Sequence, residues 1–313
     1  MLDITIVNWN SGRQLRECLE SIASANSSRS RLSRVVIVDN SSWDGSIDGL
    51  EDLGLPLSVI SNERNRGFAA ACNQGAKGSE ADYLLFLNPD TRLFVDSLSE
   101  PVRFMERAEN ENIGICGIQL VDERGQVSRT CARFPKPSMF FSKMLGLDRF
   151  FPTWFPSHFM TEWDHANTRK VDHVMGSFFL VRRSLFVSLG GFDERFFVYL
   201  EDVDFSLRAR NLGWLSYYDT GAQAYHRGGG TSEQVKAIRL FYSLRSKILY
   251  GRKHFDRLRA TVLLLGTILI EPLSRLALAI VCRSVAQATE TLAGYGMLWR
   301  SLPAILKAAR SVR

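Results

Sequence analysis

Glu201, Asp202 and Asp204 place three carboxylates within four residues, directly after the apolar run 196–200. Ionised acids this close repel one another, so at least one pKa rises, and a carboxylate tuned towards neutrality is what a general base requires. Helix capping is the competing role, because Asp204 precedes the short helical stretch 207–212, which Gly213 stops. A cap uses one acid and leaves two. Another carboxylate stands at Asp90. Tyr83-Leu84-Leu85-Phe86-Leu87 is an unbroken apolar run, the pattern of a strand covered on both faces. Asn88-Pro89-Asp90 ends it, since proline offers no amide hydrogen to a ladder. Alone, Asn-Pro-Asp is turn chemistry. At the carboxyl end of a strand in an open α/β sheet, Asp90 is also where a metal ion or a phosphate would be met. Asp39 ends the run 35–38 in the same way, and His226 opens a glycine-rich stretch, 226–232, that can approach a ligand closely. A lone histidine is more often structural.

These residues need elements to position them. Ile4-Thr5-Ile6-Val7 reads as a buried strand ending at Asn8-Trp9-Asn10, and Leu15, Cys18, Leu19 and Ile22 follow at helical spacing. A Ser/Arg-rich link, 27–33, leads to the strand that ends at Asp39. Residues 57–60 form a third strand, and the small residues after Gly67 let the next helix lie close to the sheet. The strand ending at Asp90 is the fourth. A helix from Pro101 to about Asn110 and a strand over 113–120 continue the pattern. Alternating strands and helices imply a parallel sheet with right-handed crossovers, so Asn10, Asp39 and Asp90 converge on one edge. No GxGxxG follows the first strand and no GxxxxGK[ST] occurs, which excludes the common dinucleotide and P-loop cradles. A carboxylate edge without a glycine cradle suits a diphosphate held through a divalent cation.

The 313 residues carry a net charge of +6, unevenly distributed. From Thr231 onward there are 14 Lys/Arg against 4 Asp/Glu, a balance of +10, which leaves −4 for residues 1–230. An anionic membrane surface or nucleic acid is the partner class for such a tail. Five cysteines without CxxC spacing argue against a disulfide framework or a zinc site and for a reduced, cytosolic setting. The first residues lack a secretory leader pattern, so the chain is expected to begin at its first strand. The aromatic segment 134–163 reads either as a loop folded on the core or as an acceptor- or membrane-facing loop. In the tail, 234–255 is amphipathic, and 260–282 is nearly long enough to span a bilayer. Glu271 and Arg275 pair at i,i+4 and Pro272 disfavours a continuous span, so helices packed on the protein or lying in the membrane interface are expected.

Seven segments, in this order, resemble the inverting glycosyltransferases of family 2, and most closely their bacterial rhamnosyltransferase-like branch: 6–11, 38–42, Asn65-Arg66-Gly67-Phe68-Ala69 with Asn73 and Gly75, 87–90, 190–194, 201–204 and His226. The resemblance covers about residues 3–232. It implies an α/β GT-A fold: Rossmann-like, with a mostly parallel central sheet, helices on both faces and a C-terminal helical extension. The expected division is a catalytic domain over 1–232 and a basic, partly apolar helical region over 233–313. It further implies a nucleotide-sugar donor, dTDP- or UDP-linked, held by Val7, Trp9, Asn10, Asp39, Arg66, Asn73 and Asn88. Mg²⁺ or Mn²⁺ would sit at Asp90 with His226; Asn88 stands where the family pattern has a carboxylate. Asp202 matches the catalytic base, with Glu201 beside it. The implied reaction moves a sugar, with L-rhamnose the leading case, to a glycan or polyprenyl-diphosphate-linked acceptor in cell-envelope polysaccharide synthesis. The implied place is the cytoplasmic face of the membrane, peripherally bound, and nucleic acid becomes the unlikely partner. A non-catalytic nucleotide-sugar- or glycan-binding protein on the same fold is the alternative. A sugar nucleotidyltransferase would need a GxGxRL-type loop, which is missing.

Overall fold

A computed structural model describes residues 1–26, 31–228 and 235–310. Part of the Ser/Arg-rich link and the stretch from Gly229 to Ser232 lie outside the described residues. The strands are β1 (Leu2–Asn8), β2 (Leu32–Asp39), β3 (Leu57–Ser61), β4 (Tyr83–Leu87), β5 (Thr91–Leu93), β6 (Ile113–Val121), β7 (Cys131–Ala132), β8 (Arg169–Val171), β9 (His173–Val174), β10 (Phe178–Arg182) and β11 (Leu215–His226). The helices are α1 (Arg13–Ala25), α2 (Phe68–Ala76), α3 (Ser99–Glu106), α4 (Pro137–Met144), α5 (Leu147–Phe150), α6 (Arg183–Ser188), α7 (Glu201–Asn211), α8 (Lys236–His254), α9 (Arg257–Leu265), α10 (Glu271–Val281) and α11 (Val285–Arg310).

Two compact units form. The first holds Met1–Phe134, Phe159–Glu194 and Glu201–Thr231; the second holds Pro135–His158, Arg195–Leu200 and Ser232–Arg313. Two internal segments, Pro135–His158 and Arg195–Leu200, thus group with the C-terminal helices. The aromatic segment is correspondingly split. It also contains two short helices, α4 and α5, where a loop was expected.

In the first unit the main sheet runs β3-β2-β1-β4-β10-β6-β11-β5, with β8 also paired to β11. The first four strands are mutually parallel, so their polar tips share one edge. β10 runs antiparallel between β4 and β6 and therefore begins at the edge where β4 ends. The side chains of β4 alternate as a doubly covered strand must. Leu85 and Leu87 join the cluster under α1 and α3; Leu84 and Phe86 join the one under α2, α6 and α7. Leu15, Cys18, Leu19 and Ile22 of α1 are fully buried, as their spacing requires. A small second sheet pairs β7 with β9.

Glycine lets α2 lie against the sheet. A Cβ on Gly75 would stand 2.3 Å from Thr5 Cγ2 and 3.1 Å from Val38 Cγ2.

In the second unit, Arg257–Val281 is a continuous helical run of 25 residues with mean hydropathy 1.8, long and apolar enough to cross a membrane. Pro272 does not interrupt it, contrary to expectation. A π-helical turn, Gly266–Ile270, precedes the proline and widens the backbone where its ring would meet the i−4 carbonyl. That carbonyl, Ile268 O, accepts instead from Trp299 Nε1 at 3.4 Å. Glu271 is buried in an ion pair with Lys247 and, at 3.0 Å, with Arg275.

Gly75→Ala should destabilise the protein by roughly 1–3 kcal/mol, even though alanine is the better helix former. Urea denaturation of Gly75→Ala and of Gly75→Ala/Thr5→Ala checks this. Removing the threonine methyl should restore part of the loss, and equal stability of wild type and Gly75→Ala would refute the close approach.

Candidate active site

The tips of β1 and β2 are tied by a buried polar network. Asn8 Nδ2 donates to Asp39 Oδ1 at 2.7 Å and to Ser46 Oγ at 2.8 Å. Ser42 donates to Asp39 Oδ1 through its hydroxyl at 2.6 Å and to Oδ2 through its amide at 3.0 Å. Asp39 is therefore buried and engaged with its own loop. Asn10 and Ser41 sit at φ 50° and 65°, a strained conformation for side-chain-bearing residues and one that concentrates at functional sites. Val7 is buried at the same edge, and Trp9 lies half-exposed with its ring edge-on to exposed Trp43, centroids 6.0 Å apart. Asn40, not singled out from the sequence, is the next tie. Its Nδ2 donates to Gly67 O at 3.3 Å and its Oδ1 accepts from Asn62 Nδ2 and from the amide of Arg66. The Arg66 side chain is left exposed on this edge. Asn73 spends both ends of its amide on the turn at Phe192, donating to Phe192 O and accepting from Phe192 N, each at 2.8 Å. It acts as a strut between α2 and that turn.

β4 and β10 meet at the centre of the edge. Asn88 N donates to Ser177 O at 3.1 Å, and the amide of the residue before Ser177, Gly176, donates to Asp202 Oδ2 at 3.0 Å. Asp202 is thereby joined to the strand tip carrying Asp90 through two consecutive residues. His226 pairs with Thr91 across β11 and β5, and its Nε2 lies 3.3 Å from Asp90 Oδ1. This nitrogen is buried and makes no hydrogen bond. A cavity of about 120 Å³ beside Asp90 is lined by Glu17, Arg92, Glu123 and Arg227, among others.

The three carboxylates of α7 take different roles. Glu201 is buried, and desolvation, then repulsion from Asp202, pushes its pKa well up. Its Oε2 has no hydrogen-bond partner. Burial acts on Asp202 in the same direction, but the His173 ring and the amides of Val203 and Gly176 outweigh it and hold the carboxyl below its usual range. The raising expected from crowded acids thus falls on Glu201 and not on Asp202. Asp204 is fully buried and salt-bridged at 2.8 Å to Arg208, which also donates to Leu189 O and Gly191 O. His173 was not legible as functional. Its Nε2 is 3.4 Å from Asp202 Oδ2 and its Nδ1 is 3.2 Å from Ser206 Oγ, while Ser206 donates to Asp202 O. No spacing signal links His173 to Asp202, because β9 and α7 meet only in the fold. The chain enters α7 through Tyr199 and Leu200, both at positive φ, 70° and 67°.

Among the described residues no group of three or more His, Cys, Asp or Glu side chains could hold a metal ion. Asp90 and His226 supply two protein donors of types that suit a divalent cation, and the orphaned imidazole nitrogen fits a ligand role. Such a pair needs further oxygens from a substrate.

Residues 3–190 match the profile of "Glycosyl transferase family 2". The chain is 29% identical over 267 residues to an N-acetylglucosaminyl-diphospho-decaprenol L-rhamnosyltransferase of Mycobacterium tuberculosis, covering 80% of this chain and 83% of that protein. It is 32% identical over 189 residues to rhamnosyltransferase WbbL of Escherichia coli, covering 58% of this chain and 68% of the relative. In fold it is similar to a mannosyltransferase of Pyrobaculum calidifontis, solved with GDP-Man and Mn²⁺. The TM-score there is 0.55 at 16% identity, over 99% of this chain and 86% of that one. It is also similar to TarS 1-349 of S. aureus, solved with UDP-GlcNAc, with TM-score 0.53 at 15% identity, over 98% and 81%. The chain belongs to glycosyltransferase family 2, on its rhamnosyltransferase-like side.

Proposed function

We propose that this chain is an inverting, metal-dependent glycosyltransferase of cell-envelope polysaccharide synthesis, transferring L-rhamnose from dTDP-rhamnose to a polyprenyl-diphosphate-linked sugar. The observation that carries this reading is the carboxylate of Asp202, hydrogen-bonded to the Gly176 amide and joined through Ser177 to the strand tip that bears Asp90. The M. tuberculosis relative, an N-acetylglucosaminyl-diphospho-decaprenol L-rhamnosyltransferase, supports the transferred sugar and the acceptor class.

Asp202 takes the proton of the acceptor hydroxyl as its oxygen bonds to the anomeric carbon. The bond to the nucleotide diphosphate breaks on the opposite face and the diphosphate leaves with the electron pair, so a single displacement inverts the centre. Glu201, held towards its neutral form, is a hydrogen-bond partner for the acceptor rather than a second base. Asp90 and His226 would hold Mn²⁺ or Mg²⁺, which when bound neutralises the leaving diphosphate. Val7, Trp9, Asn10 and Asp39 shape the place of the base, Arg66 faces the nucleotide, and Asn73 and Asn88 position the loops around it.

The second unit supports docking at the cytoplasmic face of the membrane. Leu258, Val262, Leu265, Leu269, Leu273 and Ile280 recur at helical spacing along Arg257–Val281 and are exposed, as are Phe150, Phe151 and Trp154. With a balance of +10 from residue 231 onward, this apolar surface suits an anionic bilayer.

Asp202→Asn should lower kcat by about 10²–10⁴-fold with donor binding retained. His173→Gln removes one influence that holds the Asp202 pKa down, so the acidic limb of kcat/KM should move to higher pH. Unchanged turnover in Asp202→Asn would remove the assigned base, and an unmoved limb would remove His173 from the site.

In thermal-shift titrations, dTDP with Mn²⁺ at a hundred times its Kd should stabilise the wild type by about 2.7 kcal/mol. Asp90→Asn and His226→Ala should lose the metal-dependent part. Mn²⁺ alone should shift the melting temperature little, because two protein donors are too few. A panel of UDP- and GDP-sugars reads the donor base.

Sedimentation with anionic vesicles should carry the wild type down and Leu269→Asp/Leu273→Asp should leave it in solution. Equal partition would refute the docking face.

A further inference from the structure

Another cavity of the first unit shares no lining residue with the one beside Asp90. It has a volume of about 340 Å³ and is walled by Arg133, Arg169, Lys170 and Arg210, with Asp172 the acid among them. This concentration of cations stands within residues 1–230, whose balance is −4. Asp172 engages Arg210 at 3.3 Å, and Arg133 is paired with Glu162. Arg169 lies 4.8 Å over the Trp163 ring without a carboxylate partner among the described residues, and the same holds for the exposed Lys170. Arg210 donates from Nη2 to Val171 O and Asp172, while its Nε is buried without a hydrogen-bond partner. A buried guanidinium donor left unbonded costs stability unless a ligand completes it.

The cavity is linked to the chemistry in two ways. Asp172 on its wall immediately precedes His173, whose ring touches the Asp202 carboxylate. Arg210 lies on α7 itself, eight residues beyond Asp202, which is about 12 Å along the axis at 1.5 Å per residue. That separation is comparable to the length of a monosaccharide with a diphosphate at its anomeric carbon. We infer that this cavity is the acceptor's diphosphate subsite: Arg169, Lys170 and Arg210 grip the diphosphate while a hydroxyl of the attached sugar reaches Asp202. The inference rests on the proposed transfer to a diphosphate-linked acceptor. Arginine suits the task, since its planar fork matches phosphate oxygens.

The test uses the full chain and the double variant Arg169→Gln/Lys170→Gln, which alters exposed side chains outside the Asp90 and Asp202 sites. First, inorganic pyrophosphate is titrated calorimetrically in EDTA, so that no metal can recruit it to Asp90 and His226. Binding should be present in the wild type, lost in the double variant and retained in Asp90→Asn. Second, KM is compared for a short-chain prenyl-diphosphate-linked sugar and for a neutral alkyl glycoside of the same sugar. The double variant should raise the first by about tenfold or more and leave the second unchanged, with donor hydrolysis by water at the wild-type rate.

No pyrophosphate binding in the wild type, binding retained in the double variant, or a KM raised equally for both acceptors would each overturn the inference. Pyrophosphate binding that dTDP displaces and Asp90→Asn abolishes would assign the anion to the donor site, also overturning it. The calorimetric arm needs no turnover. Failure of the broader transferase reading, seen as absent donor binding or transfer in the wild type, is therefore distinguishable from failure of the subsite.

Discussion

The active edge depends on a two-residue joint, Gly176-Ser177, at the start of β10. Parallel strands deliver their tips to one edge but say nothing about where a helix from later in the chain will place its acids. An antiparallel strand inserted beside β4 begins where β4 ends, so the residues before it can bond to both parties. Ser177 O takes the amide of Asn88, and Gly176 gives its own amide to Asp202. The space is tight, because a Cβ on Gly176 would lie 3.3 Å from Asp202 Oδ2. The distance between the Asp202 carboxylate and the strand tip is thus set by hydrogen bonds from two backbone amides, which hold the side chain more rigidly than packing alone.

Electrostatics then separates three neighbouring acids that begin chemically alike. Asp204 turns into the body of the unit and is neutralised by Arg208, whose remaining donors bind the carbonyls of Leu189 and Gly191. That arginine holds the glycine turn against which Asn73 is braced, so the third acid serves the scaffold. Glu201 is buried with no cation paired to it among the described residues and rises, while Asp202, half-buried beside an imidazole and two amides, falls. Two carboxyls in contact rarely both ionise in a dry site, and unequal surroundings decide which does.

Much of this was legible in the sequence because it is local. The run 83–87 followed by Asn-Pro-Asp predicts a doubly covered strand and a carboxylate at its tip. The period of Leu15, Cys18, Leu19 and Ile22 predicts the buried face of α1. The pairing of His226 with Asp90 rested on family order alone, and antiparallel β5 and β11 supply its geometry. Other features are contacts between distant segments that leave no pattern. His173 lies in the ordinary stretch Val171-Asp172-His173-Val174, and only the packing of β9 on α7 brings it to Asp202. Pro272 misled for a related reason: its ring forbids a regular α-turn, but a π-turn that frees one carbonyl, with a tryptophan to receive it, keeps the helix whole.

Two kinds of basicity coexist in the chain and would suit different parts of the proposed lipid-linked substrate. The cations of the second unit accompany exposed aliphatic residues, a combination that favours any anionic bilayer and distinguishes poorly among lipids. The cations around Arg210 surround a concave space of defined size, where the Arg210 guanidinium is held by Asp172 and the Val171 carbonyl. Preset donors lose less entropy on binding and reject ligands that leave them unpaired. In the proposed reaction, membrane attraction would raise the local concentration of acceptors, whereas the cavity would select the headgroup and fix how far its sugar extends. On a helix that carries both Arg210 and Asp202, gripping the diphosphate would also hold the attacking hydroxyl in line with its base. Binding energy gathered two turns away would thereby be expressed at the reacting atoms.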